Sequence, residues 1–438
     1  MSLRTIISAA GLLLAAVCAA QDSMSLRECI SYANEHSLSV LGHNLEVEDK
    51  RNNYVKSIFA LLPSLALYGT GDFNWGKSVD MQELIIISNK MTKSVNLSVG
   101  SSWEFFHGFS KQYRRLSAKL ELDAAELAGD KLKNDLSINV SKAYLELILS
   151  EEISECSKRN YARILEEKKT ISALVEAGSQ PFSSLRQIEV QACEEMVSMV
   201  NAEYDRKHNI MALSQLINIP YNRNFRTVRP EKESLMATPL SLSYDRIREY
   251  AAANPQILQL EKLKSSTESN IMAAKGEAAP SFTISAGYGT YYSGANTGSF
   301  SRQLKDNRNP SVELGVSIPL FDRLERTTQI KNSITANRRI ILEIEKQTKE
   351  LIAEIQNAIL EAERLYEKVV SCQDILESKE ALMEDSSEKY RIGSIATLEF
   401  TTARNDYLKA QSEYLSSKWQ YIFQLKILDL YRGIPIDL

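Results

Sequence analysis

The sequence predicts a mainly α protein that also contributes to a membrane β-barrel. The chain is internally duplicated into long antiparallel helical hairpins, a coiled-coil α-barrel, with four strands per chain contributing to a trimeric 12-stranded β-barrel. Three observations carry this expectation. The stretches "AGSQPFSSL" (Ala177–Leu185) and "IGSIATLEF" (Ile392–Phe400) make the same Gly-Ser break 215 residues apart. Each follows 69 residues without proline, 109–177 and 324–392. Upstream of each lies a pair of alternating, aromatic-rich runs of about ten residues, the period of half-buried strands.

The chain opens with Arg4, an apolar run from Ile6 to Val17, and small residues Cys18-Ala19-Ala20 before Gln21. That is the layout of a cleaved secretory signal over residues 1–20, too short to span a bilayer as a helix. Cys18 leaves lipidation open as a second use of the same site. The formal net charge is −4, and no basic patch points to nucleic acid. Five cysteines show no Cys-x-x-Cys and four histidines no His-Glu-x-x-His, so neither a metal nor a cofactor is expected. No phosphate loop and no Gly-x-Ser-x-Gly occurs, and the protein is not read as an enzyme. No later segment offers an uncharged apolar run long enough for a transmembrane helix.

The duplication sets the domain plan. Phe106 matches Phe321, Gly178 matches Gly393, and Ile219-Pro220 matches Ile434-Pro435, all at an offset of 215. Upstream, Tyr32-Ala33 matches Tyr250-Ala251 at 218. The first repeat is 21–220, a polar connector with two prolines covers 221–241, and the second repeat is 242–438. In each, two short helices come first, parted in the second repeat at Asn254-Pro255, since the residue before proline resists the helical region.

The strand pairs follow, at about 64–74 with 94–104, and 281–292 with 310–320. Each run is long enough to cross a bilayer as a tilted strand. Trp75, Trp103, Tyr291, Tyr292 and Phe321 lie near strand ends, where amphipathic rings favour the membrane interface. The connecting segments Gly76–Lys93 and Ser293–Asn309 are expected to be external loops. The first holds an apolar run, Leu84–Ser88, for which extension of a strand, a plug and a neighbour contact all stay open.

Long helical hairpins then occupy 109–218 and 324–431. At 1.5 Å rise per residue the leading helix is ~100 Å long. Leu351, Ile355, Ala358, Ala362, Leu365, Val369, Cys372 and Leu376 alternate steps of four and three, a heptad seam. Ile352, Ile359 and Tyr366 add a second stripe, as on a helix with neighbours on both sides. Gly178 and Gly393 are placed to take the left-handed conformation that ends a helix, so the quoted breaks are hairpin tips. Four strands cannot close a barrel alone, and lipid does not tolerate open edges. Three copies give twelve strands, which suits an even-numbered barrel.

The order of elements, the duplication, "IPLFDRLERTTQIKNS" (Ile318–Ser333) and "YRIGSIATLEFTTARNDYLKAQSEY" (Tyr390–Tyr414) together resemble the TolC-like outer-membrane efflux protein family over essentially the whole mature chain. The resemblance implies a homotrimer in the outer-membrane lipid with a helical tunnel in the periplasm. It implies the exit duct of a tripartite efflux pump or type I secretion system, a passive conduit partnered by a periplasmic adaptor (membrane fusion) protein and an RND- or ABC-type inner-membrane transporter. Family acidic gate positions fall on Glu399 and Thr402, so one carboxylate ring is expected where the family has two. The tips Gly178, Ser179, Gln180, Phe182, Gly393, Ser394 and Ile395 become the adaptor contacts. The rival reading is a soluble periplasmic coiled-coil scaffold or adaptor protein. Two equal halves with two strand pairs argue against it, because an adaptor normally carries a single hairpin.

Overall fold

The computed structural model describes residues 23–80, 85–229, 243–294, 296 and 298–437. The expected signal, Cys18, Leu84 and most of the connector lie outside the described residues. The chain divides into two compact units. The described parts of Met1–Asn44, Ala128–Ile257 and Gln347–Leu438 make one, and those of Leu45–Leu127 and Leu258–Lys346 the other.

Four long helices dominate. α3 (Ser110–Glu176) and α4 (Phe182–Leu216) form one hairpin, and α8 (Glu325–Arg391) and α9 (Thr397–Tyr431) the other. All four pairs of helix ends stand 215 residues apart. Two shorter helices precede the strands of each repeat: α1 (Leu26–His36) and α2 (Leu38–Phe59), then α5 (Tyr244–Ala253) and α6 (Pro255–Glu277).

In the first unit the heptad seam is the core. Leu351, Ile355, Ala358, Ala362, Leu365, Val369 and Cys372 are all buried, and Leu376 is half-buried. The core is also duplicated. Val140, Leu147 and Leu213 pack with Cys29 and Ala33 of α1, while Ile355, Ala362 and Leu428 pack with Ile247 and Ala251 of α5. α1 starts on a capping box, with Ser25 accepting from the Glu28 amide and Glu28 accepting from the Ser25 amide at 2.8 Å. Just before it, β1 (Ser23–Met24) pairs in parallel with β4 (Arg226–Thr227). The fully buried Tyr144 of α3 joins both strands, its hydroxyl 2.9 Å from the carbonyls of Met24 and Val228 and accepting from the Val228 amide at 3.0 Å. Burial pushes the Cys29 thiol up to about 12, which leaves it unreactive. Cys29, Cys156, Cys193 and Cys372 are all free.

The second unit holds an antiparallel sheet of β2 (Ser64–Asp80), β3 (Ile85–His107), β5 (Ser281–Ser293) and β6 (Asn309–Ser317), in the order β2-β3-β5-β6. The first hairpin is longer than the sequence suggests. β2 and β3 stay paired beyond Gly76, with Val79 opposite Ile86 and Asp80 opposite Ile85. Ile85–Ser88 therefore extends a strand, and Gly76–Lys93 is mostly ladder. Its β-branched residues suit a ladder better than an exposed loop. The second connection is not plain loop either, since it carries α7 (Phe300–Asp306).

Register fixes what each face presents. One face carries Leu65, Leu67, Phe73 and Trp75 of β2, opposite Ser101, Val99, Lys93 and Met91 of β3. It continues through Val95, Leu97, Val99 and Trp103 onto Tyr292, Thr290, Tyr288 and Ile284 of β5, then Leu314 and Val312 of β6. The other face carries Thr70, Asp72 and Asn74, then Ser94, Asn96 and Ser98, then Ser285, Gly287 and Gly289, then Ser311 and Glu313. Leu65, Leu67, Trp75, Val312 and Leu314 are each about three-quarters exposed in the single chain, so the apolar face has no cover of its own.

The passage from strand to helix is made by two residues at positive φ. These are Gly108 (55°) and Phe109 (62°) in the first repeat, and Arg323 (54°) and Leu324 (68°) at the same offset in the second. Gly108 also meets α6 backbone to backbone: a Cβ added to it would lie 2.3 Å from the Gly276 carbonyl oxygen.

Candidate gate and docking tips

Both tips are built alike. Gly178 and Gly393 each have φ of +73° and return their amides to Val175 and Tyr390 at 3.0 Å. The next residues reach one residue further back, Ser179 to Leu174 at 2.9 Å and Ser394 to Lys389 at 2.8 Å. This doubled return is the Schellman closure that satisfies the last carbonyls of a helix. The following helices start from Pro181 and Ala396 in matching extended conformations.

Side chains distinguish the two. On the first tip Gln180 accepts from the buried Ser184 hydroxyl at 2.9 Å, and the exposed Phe182 lies under the Arg186 guanidinium at 5.0 Å. On the second, Ile395 is half-buried. Ile392 and Leu398 are the exposed apolar residues there, at about three-quarters each. Phe400 is buried and stacks on Tyr390, with centroids 4.9 Å apart and an interplanar angle of 3°.

Glu399 lies in the first turn of α9, exposed and with no ion pair among the described residues. Thr402, one turn on, uses its hydroxyl on the Leu398 carbonyl at 2.9 Å. Both line a groove with Leu382 and Ser386 of α8 and Asp406 of α9. Asp406 is bound by Lys379 at 2.6 Å. Glu399, Thr402 and Asp406 thus share one helix face at steps of three and four, with the outermost carboxylate left open.

A link between the two hairpins sits one turn below. Arg404 is buried in α9 and lies 3.5 Å from Glu167 of α3, Glu195 of α4 and the Asn160 carbonyl. Gln191 bonds Thr401, and the buried Trp419 donates to Glu152 at 2.8 Å. Burial raises the Glu167 carboxyl above its ordinary range, and Arg404 opposes that shift. The readable signal for this link is a basic residue on a seam. Phe400, Arg404, Ala410, Ser417, Trp419, Tyr421, Ile422 and Leu428 are the buried positions of α9, and Arg404 alone among them carries charge.

Of the expected interface aromatics, Trp75, Trp103 and Tyr292 lie on the apolar face, and Phe321 is highly exposed beyond β6. Tyr291, also near the end of β5, alternates onto the polar face opposite Asn96. From Met91, opposite Trp75, to Trp103 is twelve residues of β3. That is ~40 Å of strand, or ~30 Å of height at a barrel tilt of ~40°.

Residues 247–431 match the family model described as "Outer membrane efflux protein". No curated protein matches the chain. Among solved structures, CusC matches with a TM-score of 0.80 at 15% identity, over 93% of this chain and 92% of that one. The CmeC outer membrane channel of Campylobacter jejuni gives 0.80 at 14%, over 94% and 86%. The MtrE outer membrane channel of Neisseria gonorrhoeae gives 0.75 at 19%, over 94% and 89%. At such identities the structures establish the fold, and the family model adds the sequence signature over the second repeat. Residues 247–431 therefore carry the outer membrane efflux protein signature, and the duplicated frame around them has the fold of the solved channels it resembles.

Proposed function

We propose that three copies form the outer-membrane exit duct of a tripartite efflux pump or type I secretion system. One observation carries the reading. A sheet with one apolar face, one polar face and two open edges belongs to a chain with two equal helical hairpins. Closure by threefold repetition removes the edges, turns the apolar face to lipid and lines a lumen with serine, threonine, glycine and a few carboxylates. The helical hairpins continue the conduit in the periplasm. The duct moves solute down its gradient and performs no covalent step.

Three Glu399 side chains then ring the narrow periplasmic end. A ring of carboxylates raises the local cation concentration and favours cation passage. Thr402 adds no charge, and Asp406 is neutralised by Lys379, so the ring is single. The adaptor reads the tips: the turns at Gly178-Ser179-Gln180 and Gly393-Ser394-Ile395, with Phe182 as the apolar anchor and Ile392 and Leu398 beside it. An inner-membrane transporter of RND or ABC type supplies cargo and energy through that adaptor.

The test is single-channel recording of the purified protein in a planar bilayer, wild type beside Glu399→Ala. Steady conductance with cation preference, weakened in the variant, is expected. Conductance and selectivity that ignore the substitution would remove Glu399 from the gate and keep the duct. Failure of a folded trimer to insert would remove the duct.

A further inference from the structure

Between β5 and β6, α7 lies against the apolar face of the sheet. Thr290 and Tyr292 lie on the apolar face, opposite Leu97 and Val95. Both touch α7. Thr290 Oγ1 donates to the Leu304 carbonyl at 2.7 Å, and the Tyr292 ring lies 5.0 Å from that of Phe300. A buried glutamine fixes the seat. Gln303 Nε2 donates to the carbonyls of Gly298 at 2.8 Å and Ser293 at 3.1 Å, and its Oε1 accepts from the Ser293 amide at 2.9 Å. Asn307 adds a bond to the Tyr291 carbonyl at 2.8 Å.

The free side of this helix is basic. Arg302, Lys305 and Arg308 are exposed, and the one acid among them, Asp306, lies 3.5 Å from Arg302. On the same rim, Lys93 sits on the apolar face with its ammonium 6.0 Å from the Phe73 ring, one pair along from Trp75 and Met91. Aromatic rings packed inward with long basic side chains outward, at the end of an apolar band, are the arrangement that meets phosphate at a bilayer surface. Over the lumen, the same bases would gain no such partner.

We propose that α7, with Arg308 and Lys93, is a docking seat for the anionic phosphate headgroup of an outer-leaflet lipid. The inference rests on the apolar face being the lipid face, and it places α7 as an anchor at the rim instead of a lid on the mouth.

The test uses the whole trimer in vesicles with brominated acyl chains, comparing Leu67→Trp and Phe300→Trp with wild type. Both variants are expected to add quenched tryptophan emission. Quenching at position 67 without quenching at 300 would overturn the seat and keep the barrel. No added quenching at either position would overturn the barrel reading itself. For the headgroup, trimers equilibrated with phosphatidylglycerol or phosphatidylcholine vesicles are examined by native mass spectrometry. Wild type should retain phosphatidylglycerol preferentially. The Arg302→Gln/Lys305→Gln/Arg308→Gln protein should lose that retention on the order of tenfold, with phosphatidylcholine unchanged. Equal phosphatidylglycerol retention by the two proteins would overturn the proposal.

Discussion

Gly108 and Leu324 both stand at a strand-to-helix passage, yet substitution should move stability in opposite directions. At Gly108 a methyl group collides with the Gly276 backbone, so Gly108→Ala should cost several kcal/mol, on the order of a severe overpacking. Leu324, one residue past Arg323, is a branched side chain at φ of 68°, a conformation that costs roughly 1–2 kcal/mol without glycine. Leu324→Gly should return part of that, ~0.5–1 kcal/mol after the extra entropy of glycine. Denaturant unfolding of the two variants in detergent checks both signs, and a destabilised Leu324→Gly would show that the strain account is wrong. Tyr144→Phe should cost ~1–3 kcal/mol by removing the hydroxyl that bonds the Val228 carbonyl, while the Val228 amide keeps its bond to the Met24 carbonyl at 3.3 Å. Single residues were unevenly legible. Gly178 and Gly393 announced their left-handed turns because glycine between two helical runs has few other uses. Gly108 did not, because its reason is a close approach to a residue far away in sequence.

Helices carry the energetics of the contact between the two hairpins. Arg404 is the buried cation between α9 and the first hairpin, and Arg404→Met would leave Glu167 and Glu195 facing each other without it. The hairpins should separate more readily, seen as higher and noisier conductance in the bilayer recording. Glu167→Gln in the same background should restore part of the quiet state. The pH behaviour follows from the sign of the Glu167 shift. Its folded carboxyl is raised, so the folded state binds the proton more tightly, and the cost of its charge is removed as pH falls through the raised value. Glu203 works the other way. Arg206 first, then Lys158 and Ser154 against the cost of burial, hold it well below the usual carboxylate range. Its stabilisation of the α3–α4 pairing is present above the unfolded glutamate value, about 4.3, and lost only in stronger acid. Thermal melts of wild type and Glu203→Gln should therefore differ at neutral pH and converge in acid. The heptad seam and both hairpins could be read from spacing alone. The extra length of β2 and β3 could not, because Leu84–Ser88 is apolar enough for several fates and only pairing decides among them.

At the scale of the whole molecule, the proposed duct requires the two open edges of the sheet to be paired by neighbouring copies. Light scattering of the detergent-solubilised protein should return three copies, and a stable monomer would contradict the edge argument. Fold class was legible because duplication, strand alternation and seam each have a period that one sequence displays. The gate was legible only in part. Glu399 and the tips follow from the turn, but the Arg404 link joins residues more than two hundred positions apart.

The equality of the two hairpins has a further consequence. Helix ends 215 residues apart at every boundary mean that a trimer repeats its tip six times while its sequence repeats three times. Where the first tip has Ser184 bonded back to Gln180, the second has the open carboxylate of Glu399. The scaffold thus supplies two copies of one turn whose side chains have diverged: one closes on itself through a hydroxyl, and the other leaves a carboxylate in solvent.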